Sequence, residues 1–483
     1  MASKRTLTAE NLEALGAKRL AELLMHVAEG DAATKRSLRL ELTAKNAPET
    51  VAAEVRKRLD QIARARSFVD WREIRDLAGD LDAQRRAIVD RVAKIDAGDA
   101  LGLMWRFMDL AEVVHGRCDD SSGVIGGVFL EACHDLGPLA QAARPDPIAL
   151  ADRVFSALGE NGYGQYEDLI GTLATVLGDT GLDHLKARFI DLSRMPVEKP
   201  PAGQRKVVGW TSGGRLYEDE VEARNRESTI RFALQEIADA QGDVDAFIGQ
   251  YAETTRKVPR VAAEIARRLL AAGRADEALR TIEAAEHGRS GWPDFEWEDA
   301  RIETLDALDR GDEAQAARWS CFERSLSAAH LRAYLKRLPD FDDVEAEMRA
   351  LDHAERYGSP LSALAFLVSW PALDRAARVV IRRAGELDGD HYEILAPAAD
   401  ALAGRHPLAA TLVLRSMIGF TLAKARSSRY RHAARHLLEC ESLATAIRDF
   451  GGFATHEAHV ARLKAKHGRK SGFWSLIPRP SVE

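Results

Sequence analysis

Histidine and cysteine side chains are the residues of this chain best able to hold a metal ion. The tightest group puts a His-x-x-Cys and a Cys-His pair on two predicted helices, at His115, Cys118, Cys133 and His134. Four such ligands could close a tetrahedral zinc site. Cys133 and His134 are adjacent, however, so on one helix their side chains diverge by about 100°. We therefore favour a buried cysteine and a histidine near a helix end, and predict no bound cofactor.

Two further histidine pairs have spacings that suit metal ligands. His432 and His436 lie four residues apart and His456 and His459 three apart, so each pair shares a helical face. The second pair sits in a His-Glu-Ala-His run that is one residue shorter than the zincin motif. Basic residues surround both pairs, and we interpret these histidines as part of a solvated basic face.

Motifs of the common enzyme classes are missing from the sequence. It contains no Gly-x-Ser-x-Gly nucleophile elbow, no P-loop and no dinucleotide fingerprint that follows a strand. Residues 161–166 form a polar and aromatic loop that is either a recognition surface or a turn between helices in which Asn and Gly take positive φ. We predict that the protein is not an enzyme.

Charge is unevenly distributed along the chain. Its 68 basic and 75 acidic residues give a net charge of -7, yet the segment from residue 420 onward is basic. The candidate binding residues in this basic C-terminal tail are Lys464, Lys466, Arg469, Lys470 and Trp474. Cations beside an aromatic ring suit nucleic-acid backbones and bases. The alternative is that the cations favour the dipole of the last helix while the aromatic side chains close the end of the fold.

Composition and periodicity predict an all-α fold. Charged residues make up 30% of the chain and aromatic residues only 6%. Proline stands at the first position of several predicted helices, as at Pro259, Pro360 and Pro407, and apolar residues then recur three or four apart. Four cysteines in 483 residues, a charged first thirty residues and the lack of a 20-residue apolar run predict a cytoplasmic protein with no membrane segment.

One proline- and glycine-rich segment divides the predicted helices. Residues 195–215 contain three prolines and four glycines, which indicates a connector, with a small hairpin around residues 207–210. We predict an N-terminal all-helical domain over residues 1–194 and a second region over residues 216–483.

The second region has a degenerate internal repeat. Gly273, Ala278, Ile282 and Ala285 have the spacing of small and apolar residues in a tetratricopeptide helix pair. The pattern recurs in part from Gly311, Gly358 and Gly404, and from Ser428. Helix pairs of this kind stack because neither member can bury its apolar stripe alone. The prediction is a tetratricopeptide-like helical-repeat array, an α-solenoid.

Several runs resemble known families. Residues 18–24, 65–71, 117–123 and 161–166 together resemble a bacterial family catalogued as a domain of unknown function, which implies no activity. Residues 273–279, 429–434 and 467–470 are similar to the helical region that follows SWIM-type zinc fingers. The finger itself needs a Cys-x-Cys pair that this chain lacks, so the resemblance implies neither zinc nor nucleic-acid binding.

These observations lead to three hypotheses about function. The first is a non-catalytic scaffold that binds a protein or peptide partner on its helical-repeat surface. The second is a nucleic-acid-associated protein that uses the basic C-terminal helix and tail. The third is a metal-dependent enzyme centred on His115, Cys118, Cys133 and His134.

Overall fold

The computed structural model describes residues 7–29, 34–36, 38, 39, 42, 50–197, 200, 201, 203–211, 213–286 and 294–477. The chain forms two compact units, Met1–Glu253 and Thr254–Glu483. Within the described ranges nearly all regular structure is helical, which confirms the all-α prediction. Among the described helices, none is both long enough and apolar enough to cross a membrane.

The first unit consists of helices and one β-hairpin. The elements of its described residues, in chain order, are α1 (Ala9–Glu13), α2 (Ala17–Val27), α3 (Val51–Arg64), α4 (Ile74–Asp90), α5 (Ala97–Met108), α6 (Ala111–His115), α7 (Val124–Ala143), α8 (Pro147–Gly159), α9 (Leu169–Arg194), β1 (Val207–Thr211), β2 (Gly214–Tyr217), α10 (Glu218–Gln241) and α11 (Val244–Gly249). A 3-10 turn (Val92–Lys94) follows α4.

Helix α7 lies at the centre of this unit and packs against α4, α5 and α9. Local signals set the helix starts around it. The Asp96 side chain accepts from the Asp99 amide at the start of α5, and Asp146 accepts from the Ala149 amide just before Pro147 opens α8. The shared core includes Phe107, Phe129 and other apolar side chains that are fully buried.

The division between the units comes later in the chain than residues 195–215. In that segment, β1 and β2 form an antiparallel hairpin, and α10 then packs along α9. Arg226 Nη2 donates to the Met195 carbonyl at 2.8 Å, and Gln241 Nε2 donates to Asp183 Oδ1 at 2.7 Å. The helix that follows the hairpin thus belongs to the first unit, and the chain divides at Glu253 and Thr254.

Helix α12 (Glu253–Arg256) spans this division, and the second unit follows it. The further elements are α13 (Pro259–Ala271), α14 (Ala275–Glu283), α15 (Phe295–Ala307), α16 (Gly311–Ser325), α17 (Ala328–Leu335), α18 (Asp342–Arg356), α19 (Pro360–Ser369), α20 (Leu373–Arg383), α21 (Tyr392–Ala403), α22 (Pro407–Ala423), α23 (Tyr430–Ala444), α24 (His456–His467) and α25 (Ser471–Trp474). A 3-10 turn (Ala384–Glu386) follows α20, and another (Ser427–Arg429) precedes α23.

Each helix of the second unit makes its principal contacts with helices one or two places along the chain. This is the packing of a helical-repeat array, which confirms the predicted fold class. Gly273 takes a φ of 73° in the turn before α14, where an L side chain would be strained. The likeness to tetratricopeptide repeats themselves stays a prediction.

Burial follows the predicted repeat in three of its later copies. Ala363, Ala409 and Ala433 are buried at the predicted small-residue positions. The copy that starts at Gly311 is shifted, because Ala316 is exposed whereas Ala314 and Ala317 are buried. Bulky Trp319 and Phe322 pack together there, with ring centroids 5.5 Å apart.

Candidate functional site

The four residues of the first histidine and cysteine group do not form a metal-binding cluster. Cys133 is buried in α7 and its Sγ donates to the Glu167 carbonyl at 3.6 Å, whereas His134 is exposed. His115 stacks on Tyr163, with ring centroids 4.6 Å apart. Nowhere in the described ranges do three or more His, Cys, Asp or Glu side chains form a group that could hold a metal ion.

Cys133 is buried close to two carboxylates, those of half-buried Glu236 and exposed Asp168, a grouping that the sequence did not reveal. Burial, and then the charges of Asp168 and Glu236, raise the pKa of the Cys133 thiol to about 12. Burial, and then the neighbouring Asp168 carboxylate, raise the pKa of Glu236 to about 7. The thiol is therefore protonated at neutral pH and is a poor nucleophile.

Several hydrogen bonds hold the polar and aromatic loop at residues 161–166 in place. Asn161 Oδ1 accepts from the Tyr166 amide at 2.9 Å, and Gln165 Nε2 donates to the Glu160 carbonyl at 2.7 Å. Tyr166 is buried, and Gly164 takes a φ of 74°. These contacts fit a turn between helices α8 and α9, with Gly164 rather than Asn161 in the left-handed conformation.

The candidate residues of the basic tail are only partly brought together. Lys464 Nζ lies 5.7 Å from the centroid of the Trp474 ring, and Trp474 Nε1 donates to the His467 carbonyl at 3.0 Å. The neighbouring Phe473 is fully buried against the core of the second unit. Lys464, Lys466 and Arg469 are exposed, and Lys470 is half-buried. The aromatic pair thus closes this end of the core while the cations face solvent.

A cavity of about 460 Å³ lies among helices α21, α22 and α23. Its apolar lining comes from Gly389, Ala396, Met417 and Ala433, and its polar lining comes from Tyr392, Thr421, Ser428, Arg429, His432, Arg435 and His436. The lining thus combines two arginines and two histidines with several apolar residues, and it contains no carboxylate. Small-ligand pockets have volumes of roughly 300–1,000 Å³.

The geometry of the cavity depends on a close approach of two backbones. Gly389 lies in the segment between α20 and α21, and a Cβ atom added to it would lie 2.6 Å from the carbonyl carbon of Ser416 in α22. Only glycine fits at that distance. Arg429 is held at the opening, where Nη1 donates to Asp390 Oδ1 at 2.6 Å and the guanidinium lies 5.1 Å from the centroid of the Tyr392 ring.

His436 is a neutral member of this lining. Its side chain is only 12% exposed. Burial, and then the charges of Arg435 and His432, lower the pKa of His436 to about 4. The interpretation of both histidine pairs as a solvated face is therefore wrong for His436, and also for His456, which is buried at the start of α24. The i, i+4 spacing places residues on one face but does not tell which face the fold covers.

The cavity can accommodate an acidic group with an apolar part. The Arg435 guanidinium supplies a fixed charge and several donors, and neutral His436 can donate or accept one hydrogen bond. Charge-assisted hydrogen bonds from arginine to carboxylate are among the stronger polar contacts in proteins. The apolar part of the lining favours a ligand that also buries aliphatic surface.

Comparisons with known proteins give a family but no activity. No curated protein matches the chain. One solved structure, a circular tandem repeat protein with novel repeat topology and enhanced subunit contact surfaces, aligns over 98% of this chain and 95% of its own at 14% identity, with a TM-score of 0.13. The family model that matches spans residues 2–476, and the chain belongs to that family, DUF6880, a family of unknown function.

Proposed function

We propose that this protein is a non-catalytic interaction scaffold whose second unit binds an acidic segment of a protein or peptide partner in the cavity among α21, α22 and α23. The observation that carries the proposal is the lining, which presents Arg435, His432 and His436 and no carboxylate, while Arg429 is already paired with Asp390 beside it. A complementary partner presents a glutamate, an aspartate or a terminal carboxylate.

The size of the cavity supports a short segment rather than a whole domain. A volume of about 460 Å³ holds one or two side chains. Met417 and Ala433 offer apolar contact, so a leucine-like side chain beside the acidic residue would fit this part of the lining. The helices on both sides give the site rigid walls, which reduces the entropy lost on binding.

The proposal is tested by peptide binding to the full chain. The probes are two labelled octapeptides, one alternating leucine with glutamate and one alternating leucine with glutamine, and the measurement is fluorescence anisotropy. We expect the glutamate peptide to bind at least about tenfold more tightly, and high salt to weaken it. Equal affinity for both peptides would contradict the proposal.

Two arginine variants localise the binding. Arg435→Gln removes a lining charge and should weaken the glutamate peptide by about tenfold. Arg431→Gln makes the same change on the same helix at an exposed residue outside the lining, and should leave affinity unchanged. Equal effects of the two variants would place the binding elsewhere.

The second candidate is nucleic-acid binding by the basic tail. It is favoured by the exposure of Lys464, Lys466 and Arg469. A single-stranded oligonucleotide should then bind with a steep salt dependence, and neutralisation of these three residues together with Lys470 should abolish that binding. Capture of partners from the host with and without nuclease treatment separates this candidate from the first.

We also propose a cytoplasmic location for the protein, which its low cysteine content favours.

A further inference from the structure

A buried arginine in α22 has one edge without a partner. Arg415 is 8% exposed. Its Nη1 donates to the Ala454 carbonyl at 2.7 Å, whereas Nε and Nη2 are buried and have no hydrogen-bond partner among the described residues. A buried guanidinium that lacks an anion is costly, since it has lost its hydration and gained no opposite charge.

The open edge has the geometry that binds two oxygens of one oxyanion. Nε and Nη2 lie along one edge of the planar guanidinium group, and their N–H bonds on that edge are nearly parallel. Two other arginines of this chain bind a carboxylate through the same edge. Arg274 donates from Nε and Nη2 to the two oxygens of Glu277, both at 2.7 Å, and Arg310 does the same with Glu313. In Arg415 the equivalent edge lacks a carboxylate in the described part of the chain.

Two histidines at the start of α24 add to this cluster. His456 Nδ1 and His459 Nε2 are both buried and lack partners in the described ranges. Burial, and then the nearby charges of Arg415 and Arg462, lower the pKa of His459 to about 4. The histidines are thus neutral at pH 7, and each has one N–H to donate. The start of this 12-residue helix also carries a partial positive charge.

We propose that Arg415, His456 and His459 form a binding site for one small oxyanion, the phosphate or carboxylate group of a small ligand. The Arg415 edge donates two parallel hydrogen bonds to the anion, and the imidazole groups donate to its other oxygens. Glu457, whose charge acts on Arg415, and Glu441, whose charge acts on His456, are both exposed, and neither accepts a hydrogen bond from the open Arg415 edge. Arg415 is absent from the lining of the 460 Å³ cavity, so this site is separate from the one proposed for peptides.

The test is isothermal titration of the full chain with inorganic phosphate, sulfate and acetate in a zwitterionic buffer at pH 7, with thermal denaturation in parallel. We expect one saturable site and a rise in melting temperature with at least one of these anions. A preference for phosphate indicates a phosphate ester as the ligand, and a preference for acetate indicates a carboxylate.

Variants assign the site. Arg415→Lys keeps the charge but loses the two-donor edge, and should weaken binding by about tenfold or more. His459→Gln should weaken it less, and it supplies the test if the arginine variant does not fold. Arg431→Gln, at an exposed residue outside both proposed sites, should leave anion binding unchanged. The proposal is overturned if none of the three anions binds at concentrations up to about 20 mM, which is about ten times the dissociation constant of a 2 mM site. It is also overturned if the Arg415 and His459 variants bind the anions as tightly as the unmodified protein does.

Discussion

Replacement of Gly389 by alanine probes the contact that shapes the peptide cavity. An added Cβ would lie 2.6 Å from the Ser416 carbonyl carbon and 2.8 Å from Phe420 Cβ. Ordinary contacts of this kind are about 3.5–4.0 Å. The segment before α21 must therefore move away from α22 by roughly 1 Å, and neither obstacle is the far end of a flexible side chain.

The cost of this displacement can be estimated from overpacked cores, where an extra methyl group in a filled space costs about 1–3 kcal/mol. Gly389 should lie near the upper end because one obstacle is helical backbone. We expect Gly389→Ala to lower the free energy of unfolding by about 3 kcal/mol. The same movement should widen the cavity and weaken the glutamate peptide.

Urea denaturation of the full chain, followed by circular dichroism, measures this effect. The matched control is Gly419→Ala, which makes the same substitution inside α22, where an added Cβ meets nothing within 4 Å. That control should raise stability by about 0.5–1 kcal/mol, since alanine favours a helix interior. If the two variants are equally stable, the close approach of Gly389 to α22 does not limit the fold.

Three further predictions concern buried groups. The pKa of Glu236 is raised to about 7 from an ordinary 4.5, so its contribution to stability is present below pH 4.5 and is lost as pH rises through 7. Glu236→Gln should therefore raise the melting temperature at pH 8 and change it little at pH 4. A lower melting temperature for the variant at pH 8 would contradict this. The pKa of His436 is lowered to about 4, so as pH drops the unfolded chain binds the proton first, and the free energy of unfolding falls by at most about 3 kcal/mol between pH 6.5 and 4. His436→Gln should make the free energy of unfolding, measured by urea titration at several pH values, depend less on pH in this range. An unchanged pH dependence would refute the assignment. Phe473→Ala should lower the free energy of unfolding by about 3–5 kcal/mol, whereas Lys466→Gln, at an exposed residue, should lower it by at most about 0.5 kcal/mol. Equal melting temperatures for the two variants would show that Phe473 does not close the core.

The sequence was sufficient to predict the all-α fold, several helix starts and the burial of several small residues. Pro259, Pro360 and Pro407 each open a helix as expected, because proline needs no amide partner at the first position. The small residues Ala363 and Ala409 are buried where the repeat pattern puts them. Such signals are local, so they can be recognised without knowledge of the tertiary fold.

What the sequence could not provide depends on contacts between distant residues. Proline and glycine content marks residues 195–215 as irregular but does not tell whether the next helix packs backward or forward along the chain. The partnerless edge of Arg415 emerges only when α22 and the segment before α24 come together. Glu236 likewise resembles any other helical glutamate until the fold half-buries it near the charge of Asp168.

The short reach of contacts in the second unit bears on how such a chain can change in evolution. A whole hairpin can be gained or lost there while every remaining helix keeps a neighbour of the same kind. The turn glycines Gly273, Gly311, Gly358 and Gly404 are separated by 38, 47 and 46 residues, so hairpins of unequal length already coexist. Length differences among related chains should therefore comprise entire hairpins or turn insertions, and the helices themselves should resist single-residue insertions and deletions.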